Sequence, residues 1–405
     1  MSHDSPDGAS APHTPAGRIV GAALALSLVL TLVVLAFTWP AMTSDAKDLP
    51  VAITGPADGV AAVAAQLDTA RPGAVDLVEV TDRAEAVDAI ETRETYGAVV
   101  LGDPASGRPP EVLTSSAASG VTNQLMRQIA QQLQAAVTEQ ATAATSARIT
   151  AAQSEAAEAT QRAMQDAVAA ALAAAAQGEQ PPAPEGPAAA PEPVTIEIPQ
   201  VTVTDVVPLS DDDPNGSGFT ASLFPILLGG MIGGIGISVA VRGAMRRVTA
   251  ALLYATLGGA VLTAVLQGWF GSLQGDWWWT WAAMSLAIGA IAAPITGIVA
   301  LVGRAGTAAG PVLMMLVGNP ISGVTMPQEF LPWSWGTIGQ WFPPGASGTL
   351  LRDLSYFPQA DPSAAWTALA AWTAAGILLS LVGHARAPRP AVAPAPPVRV
   401  AEPVS

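Results

Sequence analysis

The sequence predicts an α-helical integral membrane protein with six transmembrane helices and a large extracellular α/β domain, carrying a long helical segment, between spans 1 and 2. Three observations lead there. Of 405 residues, 50% are hydrophobic and only 12% charged, about half the charge of a typical soluble domain. Six stretches, 19–39, 219–241, 249–270, 279–302, 307–324 and 364–384, hold no Asp, Glu, Lys or Arg and run 18 to 24 residues each. A helix rising about 1.5 Å per residue needs about 20 residues to cross a hydrocarbon core of about 30 Å. Finally, the basic residues of the short segments fall on alternate sides of these stretches, as retention of Lys and Arg in the cytoplasm requires.

Residues 1–18 form a cytoplasmic tail. The first apolar stretch, IVGAALALSLVLTLVVLAFTW, exceeds the roughly 7–15 residues of a signal-peptide core, and no A-x-A cleavage site follows in PAMTSDAKD. It is expected to be an uncleaved anchor. With the N-terminus inside, Arg18, Arg242, Arg246, Arg247, Arg304, Arg386, Arg389 and Arg399 lie in the cytoplasm. The short outer loops, 271–278 and 325–363, then hold Arg352 alone. Ten of the eleven tryptophans (Trp39, Trp269, Trp277, Trp278, Trp279, Trp281, Trp333, Trp335, Trp341 and Trp366) fall at or beyond the outer ends of spans, where an interfacial aromatic belt belongs. Both termini are expected in the cytoplasm.

Residues 43–217 make the extracellular domain. It has 8 basic and 25 acidic residues, net −17, and so carries the whole-chain charge of −15. Such a surface repels nucleic acid and anionic lipid and stays soluble. LPVAITG (49–55), VDLVEV (75–80) and YGAVVLGD (96–103) read as strands, and DGVAAVAAQLDTA and DRAEAVDAIETRE between them as helices. That alternation implies a small, mainly parallel sheet. From 119 to 177, Val121, Leu125, Ile129, Leu133 and Val137 recur every four residues and then give way to Ala, giving one long helix or a helical hairpin with a narrow apolar stripe. A Pro-rich spacer follows at 177–193, then VTIEIPQVTVTDVVPL (194–209), which alternates like a strand. Residues 219–384 hold spans 2 to 6, and 385–405 are a disordered cytoplasmic tail.

The chemistry excluded is as informative. The chain has no cysteine, and its histidines are His3, His13 and His384, so a His-based triad, a thiol nucleophile and a multi-His zinc site are excluded. Asp211-Asp212-Asp213 lacks the alternating spacing of a calcium loop and reads as a solvated linker. The single lysine, Lys47, follows no glycine-rich loop, so the chain does not hydrolyse ATP. No enzyme activity, cofactor or metal is expected. The spans contain no ionisable group apart from His384 at an end, which argues against a proton-driven pump.

Three features carry functional readings. In span 2, Gly229, Gly230, Gly233 and Gly234 give overlapping G-x-x-x-G pairs, suited to an intramolecular helix contact or to a dimer seam. The turn RGAMRRV (242–248), with Arg242, Arg246 and Arg247, serves topology retention or docking of a cytoplasmic partner. Beyond span 5, Asn319, Pro320, Gly323, Pro327, Glu329, Pro332, Trp335, Trp341 and Pro343 lie in GNPISGVTMPQEFLPWSWGTIGQWFPPG. Its prolines start short helices, Trp335, Ile338, Trp341 and Phe342 share a face, and Pro343-Pro344 ends the run, as expected of interfacial or re-entrant helices within 326–357.

The stretch GNPISGVTMPQEFLPWSWGTIGQWFPPGASGTLLRDLSYF (318–357), with the long outer domain opening LPVAITGP, the later ETYGAVVLG and the five further spans, resembles ABC-2 type transporter permeases, in the branch related to the phage-infection-protein (YhgE/Pip) family. The resemblance implies a bacterial plasma-membrane permease subunit of an exporter, paired as a homodimer or heterodimer, and spans without charge suit an apolar path, so an amphipathic or lipid-like substrate moved outward is expected. It implies a separate cytoplasmic ATPase coupled through Arg242, Arg246, Arg247 and Arg304, and an outer gate at Asn319 to Pro343 with Glu329 as its lone acid. Partners are then the bilayer and that ATPase, and no nucleic acid. The rival expectation is a non-transporting surface protein, an adhesion, scaffold or phage-receptor module, acting through the acidic domain.

Overall fold

A computed structural model describes residues 16–102, 108–178 and 198–386. The expected 1–18 tail, Pro-rich spacer and 385–405 tail fall wholly or mostly outside the described residues. The chain divides into two compact units, Pro50–Val207 and the segments on either side of it. Helix α1 (Ala16–Thr43) leads the chain.

The Pro50–Val207 unit is built on a five-stranded sheet. Strand β1 (Leu49–Thr54), α2 (Ala57–Ala70), β2 (Val75–Glu79), α3 (Arg83–Glu91), β3 (Gly97–Val100), β4 (Glu111–Thr114), α4 (Gly120–Gln177) and β5 (Thr202–Asp205) follow in sequence. The strand order is β2-β1-β3-β4-β5. β1 and β3 are parallel with Ala52 beside Ala98, β3 and β4 antiparallel with Ala98 beside Leu113, and β4 and β5 parallel with Val112 beside Val203. The sheet is therefore mixed: the alternating β-α-β pattern sets the first strands parallel, but the short link from β3 to β4 spans too few residues for a crossover. Val51, Ile53, Val99, Val112 and Leu113 are fully buried beneath Ile90 and Met126 of the helices.

Local chemistry fixes the helix starts. Asp82 caps α3, accepting from Ala84 N and Glu85 N at 2.8 and 2.9 Å, while the Glu85 carboxylate reaches back to Thr81 N at 2.6 Å, a reciprocal cap that satisfies orphan donors. Arg83 grips Glu111 of β4 through Nε and a terminal amine at 2.7 and 2.9 Å, and Thr204 of β5 donates to the same carboxylate at 2.6 Å. This bidentate pair ties three elements together and holds the Glu111 carboxyl below the usual carboxylate range, chiefly through the Arg83 hydrogen bond.

Of the alternatives open for 119–177, α4 is one continuous helix of 58 residues, about 87 Å of rise. Ser119 caps it and Gly178, at φ 70°, ends it. Its packing is confined to the start: Thr122, Leu125, Met126, Ile129 and Ala130 are its buried residues. Gln134 is the last tether, donating to Pro199 O at 3.3 Å and accepting from Val201 N at 2.7 Å. Farther along, Met164, Val168 and Leu172 are 61–68% exposed.

The second unit is a helical bundle. Its helices are α5 (Ser217–Ala240), α6 (Ala244–Thr263), which continues as a π-helical turn to Trp269, α7 (Trp277–Val302), α8 (Gly306–Val312), continued as a π-helical turn to Gly318, then α9 (Trp335–Gly339), α10 (Pro343–Tyr356) and α11 (Ser363–Arg386). Among the described residues four helical runs are long and apolar enough to cross a membrane: Ser217–Ala240, Ala244–Trp269, Trp277–Gly318 and Ser363–Arg386. The described apolar part of α1 is the shorter Thr31–Pro40.

The third run is not a single rod. The backbone reverses at Gly303, where φ is 72°, and α8 returns along α7. A Cβ on Gly306 would lie 2.7 Å from Val299 N, and one on Gly310 would lie 2.6 Å from Ile295 Cγ1. Two expected spans, 279–302 and 307–324, thus occupy the two legs of a hairpin, and the second leg stops being helical at Gly318 instead of 324.

Helix α7 is the spine, built of Ala, Gly and Ile from Ala287 to Gly297, nearly all buried. Small residues let backbones meet directly. Gly230 and Gly234 of α5 abut Ile291 and Ala292, Gly259 of α6 abuts Ser285, and Gly376 and Gly383 of α11 abut Ala293–Pro294 and Ala300. These pairings make α5 and α11 parallel to α7, and α6 and α8 antiparallel to it. Leu227, Met231, Ile291, Ile295 and Met314 form one apolar cluster where α5, α7 and the π turn meet.

Candidate functional site

The helix directions sort charge to the two ends of the bundle. Arg242, Arg246, Arg304, His384 and Arg386 are exposed at the end where α5, α7 and α11 finish and α6 and α8 begin, with Arg247 half-buried among them. Arg247 Nε donates to Val241 O at 2.7 Å, closing the last turn of α5 across the tight Arg242–Gly243 corner. No acidic residue of the described bundle lies at that end. Asp211, Asp212, Asp213, Asp276, Asp353 and Asp361 stand at the opposite end, beside the starts of α5, α7 and α11 and the finish of α10. The aromatic residues follow the acids: Trp269, Trp278 and Trp279 are 61–80% exposed there, and Trp279 meets Trp366 edge-on at 6.0 Å.

Partway along the bundle a second irregularity interrupts the regular helices. The Gly306–Gly318 leg rises about 20 Å, against about 39 Å for α7. Its final turn is π-helical two residues after Pro311, and Asn319 N donates to Met314 O at 3.0 Å in the wider register. Pro320 cannot continue the ladder. Asn319 O instead accepts from Ser322 N and Ser322 Oγ at 3.2 and 2.7 Å, and Gly323, at φ 62°, turns the chain beside Gln328.

The proline- and tryptophan-rich segment folds back upon this turn. Pro327 is buried and opens a short 3₁₀ turn at Gln328–Phe330 that contains the half-buried Glu329. Half-buried Pro332 accepts at its carbonyl from Trp335 N at 3.3 Å and so starts α9, five residues long. Trp333 takes the left-handed conformation at φ 54° and stacks edge-on with Trp335 at 5.4 Å. Gly336 and Gly339 sit directly on the carbonyls of Gln328 and Ile321, where a Cβ has no room. The expected shared face of Trp335, Ile338, Trp341 and Phe342 does not form: Trp341 and Ile338 are 56% and 50% exposed, whereas Phe342 turns inward onto Trp372 at 5.5 Å.

Pro343 and Pro344 open a helix instead of ending one. Both are buried at the first turn of α10, where a missing N–H costs nothing. The depth of this start follows from α11. Trp372 Nε1 donates to Trp341 O at 2.7 Å, and its neighbour Thr373 lies 3.5 Å from the Cβ position of Gly289, about 18 Å along α7 from Trp277. Phe342 and Pro344 also pack on Gly318. Helix α10 then climbs about 21 Å to the acidic end, where Leu354 O rests on Gly275 and the Tyr356 hydroxyl donates to Ser272 O at 2.9 Å. Gly306–Gly318 and α10 are thus two half-length helices joined by a folded insertion at mid-bundle depth.

No protein-family model, characterised protein or solved structure matches this chain. The structure brings Asn319, Pro320, Gly323, Pro327, Glu329, Pro332, Trp335, Trp341 and Pro343 together in one folded insertion. Gly229 and Gly233 face Tyr254 of α6, whose hydroxyl donates to Gly229 O at 2.8 Å, while Gly230 and Gly234 face α7. Both glycine pairs are therefore used within the chain. Arg242, Arg246, Arg247 and Arg304 share the basic end.

Sequence reasoning missed the insertion's fasteners. Gln340 donates to Ser322 O at 2.8 Å and accepts from Thr349 Oγ1 at 2.6 Å; Arg352 and Tyr356 tie α10 to Val324 and Ser272, and Trp372 holds Trp341 just before it. The available signal was PPGASGT, a run of small residues after two prolines. Asp213 of the triple-Asp run is 6% exposed and accepts from Phe219 N at 2.9 Å and Ser217 Oγ at 3.2 Å. It caps α5, and among the described residues no group of His, Cys, Asp or Glu is arranged to hold a metal.

Proposed function

We propose that the chain is a multi-pass plasma-membrane permease subunit of an ABC-2-like exporter, driven by a separate cytoplasmic ATPase and moving an amphipathic or lipid-like substrate outward. The observation that carries this reading is the pair of half-helices meeting at mid-bundle depth. Irregular backbone at such depth is tolerated in a membrane where it is buried in protein or lines a path, and discontinuous helices are a recurrent way to build such a path. In this reading α1, α5, α6, α7, the composite of α8 with α10, and α11 make six crossings, with both termini in the cytoplasm and Pro50–Val207 outside. The segregated arginines support the orientation. The insertion from Asn319 to Pro343 is then the outer gate, and Arg242, Arg246, Arg247 and Arg304 receive the ATPase.

Between their ends α5, α6, α7 and α11 carry no charged residue, which favours an apolar cargo over an ion along that frame; Glu329 of the insertion and Arg352 and Asp353 of α10 are the charged residues beside the proposed path. Purification from native membranes in mild detergent, with mass spectrometry and an ATPase assay of what co-purifies, tests the reading. A stoichiometric P-loop protein with nucleotide turnover is expected. Its absence across several detergents favours the second reading, a surface-interaction protein, for which the long exposed stretch of α4 is the supporting observation.

A further inference from the structure

At the acidic end of the bundle the six aspartates Asp211, Asp212, Asp213, Asp276, Asp353 and Asp361 are joined by one basic residue, Arg352. Arg352 lies in the third turn of α10, half-buried. One terminal amine donates to Val324 O at 3.2 Å, and the guanidinium carbon sits 5.0 Å above the ring of Phe219, the third residue of α5. Phe219 in turn meets Tyr356 edge-on at 6.2 Å, and its amide donates to buried Asp213. Arg352 therefore joins three separate pieces of chain: α10, the insertion at Val324, and the start of α5.

The two ends of α10 are built differently. Its first six residues, PPGASG, have no large side chain: Gly345 rests on the carbonyls of Gly339 and Ser322, and a Cβ on Gly348 would lie 3.0 Å from Val324 Cγ2. The second half carries Leu350, Leu351, Arg352, Tyr356 and then Phe357, and with it the polar ties to Val324 and Ser272. The first half thus packs closely without large side chains, and the directed ties that fix where α10 sits are those of its second half, to Val324 and Ser272.

We propose that Arg352 is a latch: by bridging Val324 and Phe219 it clamps the insertion over α10, and releasing it opens a water path from the acidic end down to Ser347. This rests on the reading of the bundle as membrane-embedded with a gate at the insertion. The guanidinium suits the task because its planar face covers an aromatic ring while its edge donates. A lysine reproduces the donor without the plane.

The chain has no native cysteine, so a single Ser347→Cys reports alone. Ser347 is 4% exposed. The full chain is placed in lipid nanodiscs and treated with a membrane-impermeant maleimide, in backgrounds with Arg352, Arg352→Lys, Arg352→Gln and Phe219→Leu. Slow labelling is expected with Arg352, with about ten- to hundredfold acceleration in Arg352→Gln, the factor for losing one charged hydrogen bond, and smaller acceleration in Arg352→Lys and Phe219→Leu. The last variant keeps the arginine and serves if Arg352→Gln does not insert. Thr263→Cys, fully buried on α6, stays unlabelled in every background. Equal slow labelling of Ser347→Cys throughout overturns the latch. Fast labelling with Arg352 intact overturns the buried-gate reading itself, and labelling of Thr263→Cys in step with Ser347→Cys overturns the latch in favour of general loosening.

Discussion

The sharpest quantitative consequence of the bundle concerns two glycines six residues apart on α5. Gly230 faces α7, and a Cβ there would lie 2.8 Å from Ile291 Cβ and 2.9 Å from Ile291 Cγ2. Carbon atoms in contact sit about 3.5–4.0 Å apart, so Gly230→Ala forces α5 away from α7 by roughly 1 Å at that level. A gap of that size forfeits a quarter to a half of the local dispersion energy, and overpacking of this kind costs about 1–3 kcal/mol. Alanine's better helix propensity returns about 0.8–1 kcal/mol, leaving a net loss of up to about 2 kcal/mol. Gly236 has nothing within 4 Å, so Gly236→Ala keeps only the gain of about 0.8–1 kcal/mol. The two substitutions on the same helix therefore differ by the overpacking term alone, about 1–3 kcal/mol, with Gly236→Ala the stabilised one. Equilibrium unfolding by SDS titration in mixed micelles reads both variants against the parent. Two stabilised variants would refute the α5–α7 seam; loss of dimer alone, with protomer stability unchanged, would show Gly230 serving a contact between copies.

Two further outcomes follow. In the Pro50–Val207 unit, Glu111 is depressed below its ordinary range by Arg83 and is one-third exposed or less, so its ion pair contributes stability above the unfolded carboxylate range that is lost as pH falls through the lower, folded value. With Arg83 half exposed, about 1 kcal/mol is expected from the pair; Glu111→Gln should lose it at neutral pH and flatten acid sensitivity in thermal melts, and an unchanged melting profile at both pH values would contradict the three-way tie. For topology, a cysteine at Gly243 should label only after cells are permeabilised and one at Gln274 should label in intact cells, and the reverse pattern would invert the proposed orientation.

Much of the first unit was legible because its elements are locally encoded. LPVAITG becomes β1 because branched residues are buried on both faces, and the Asp82-x-x-Glu85 spacing announces the start of α3. The direction of β4 was not legible: EVLT is four residues long, and alternation reports which face is buried without reporting strand sense. The apolar blocks marked α5, α6, α7 and α11. They did not mark α10, for a definite reason. PPGASGTLLRDLSY averages a polar composition, and its burial comes from glycine, alanine and serine packed backbone to backbone, together with an arginine and an aspartate that find partners inside the protein. A hydropathy window registers side-chain transfer energy, and this helix is buried by geometry instead. The continuing apolar letters of 319–324 had the opposite effect, extending an expected span past Gly318, where Pro311 and Pro320 have already disrupted the α-helical ladder.

This distribution of regular and irregular backbone bears on where the bundle is able to move. Along α7 the contacts to α5, α6 and α11 are set by glycine and alanine at backbone distance, with Ile291 and Ile295 fully buried between them. Displacing any of these helices exposes close-packed surface over many turns, and no ionisable group inside supplies a local switch. The insertion between Gly318 and Pro343 differs in kind. It combines the buried Phe330 and Leu331 with discrete hydrogen bonds from Gln340, Arg352 and Trp372, and Gly336 and Gly339 rest on carbonyls. Breaking a few directed bonds costs less than separating a continuous seam, because each net hydrogen bond contributes only about 0.5–1.5 kcal/mol whereas a seam fails all at once. In the proposed exporter reading, a change driven from the basic end would travel through the α5–α7–α11 frame to the insertion, where the directed ties to Ser322, Val324 and Trp341 are the restraints that break singly.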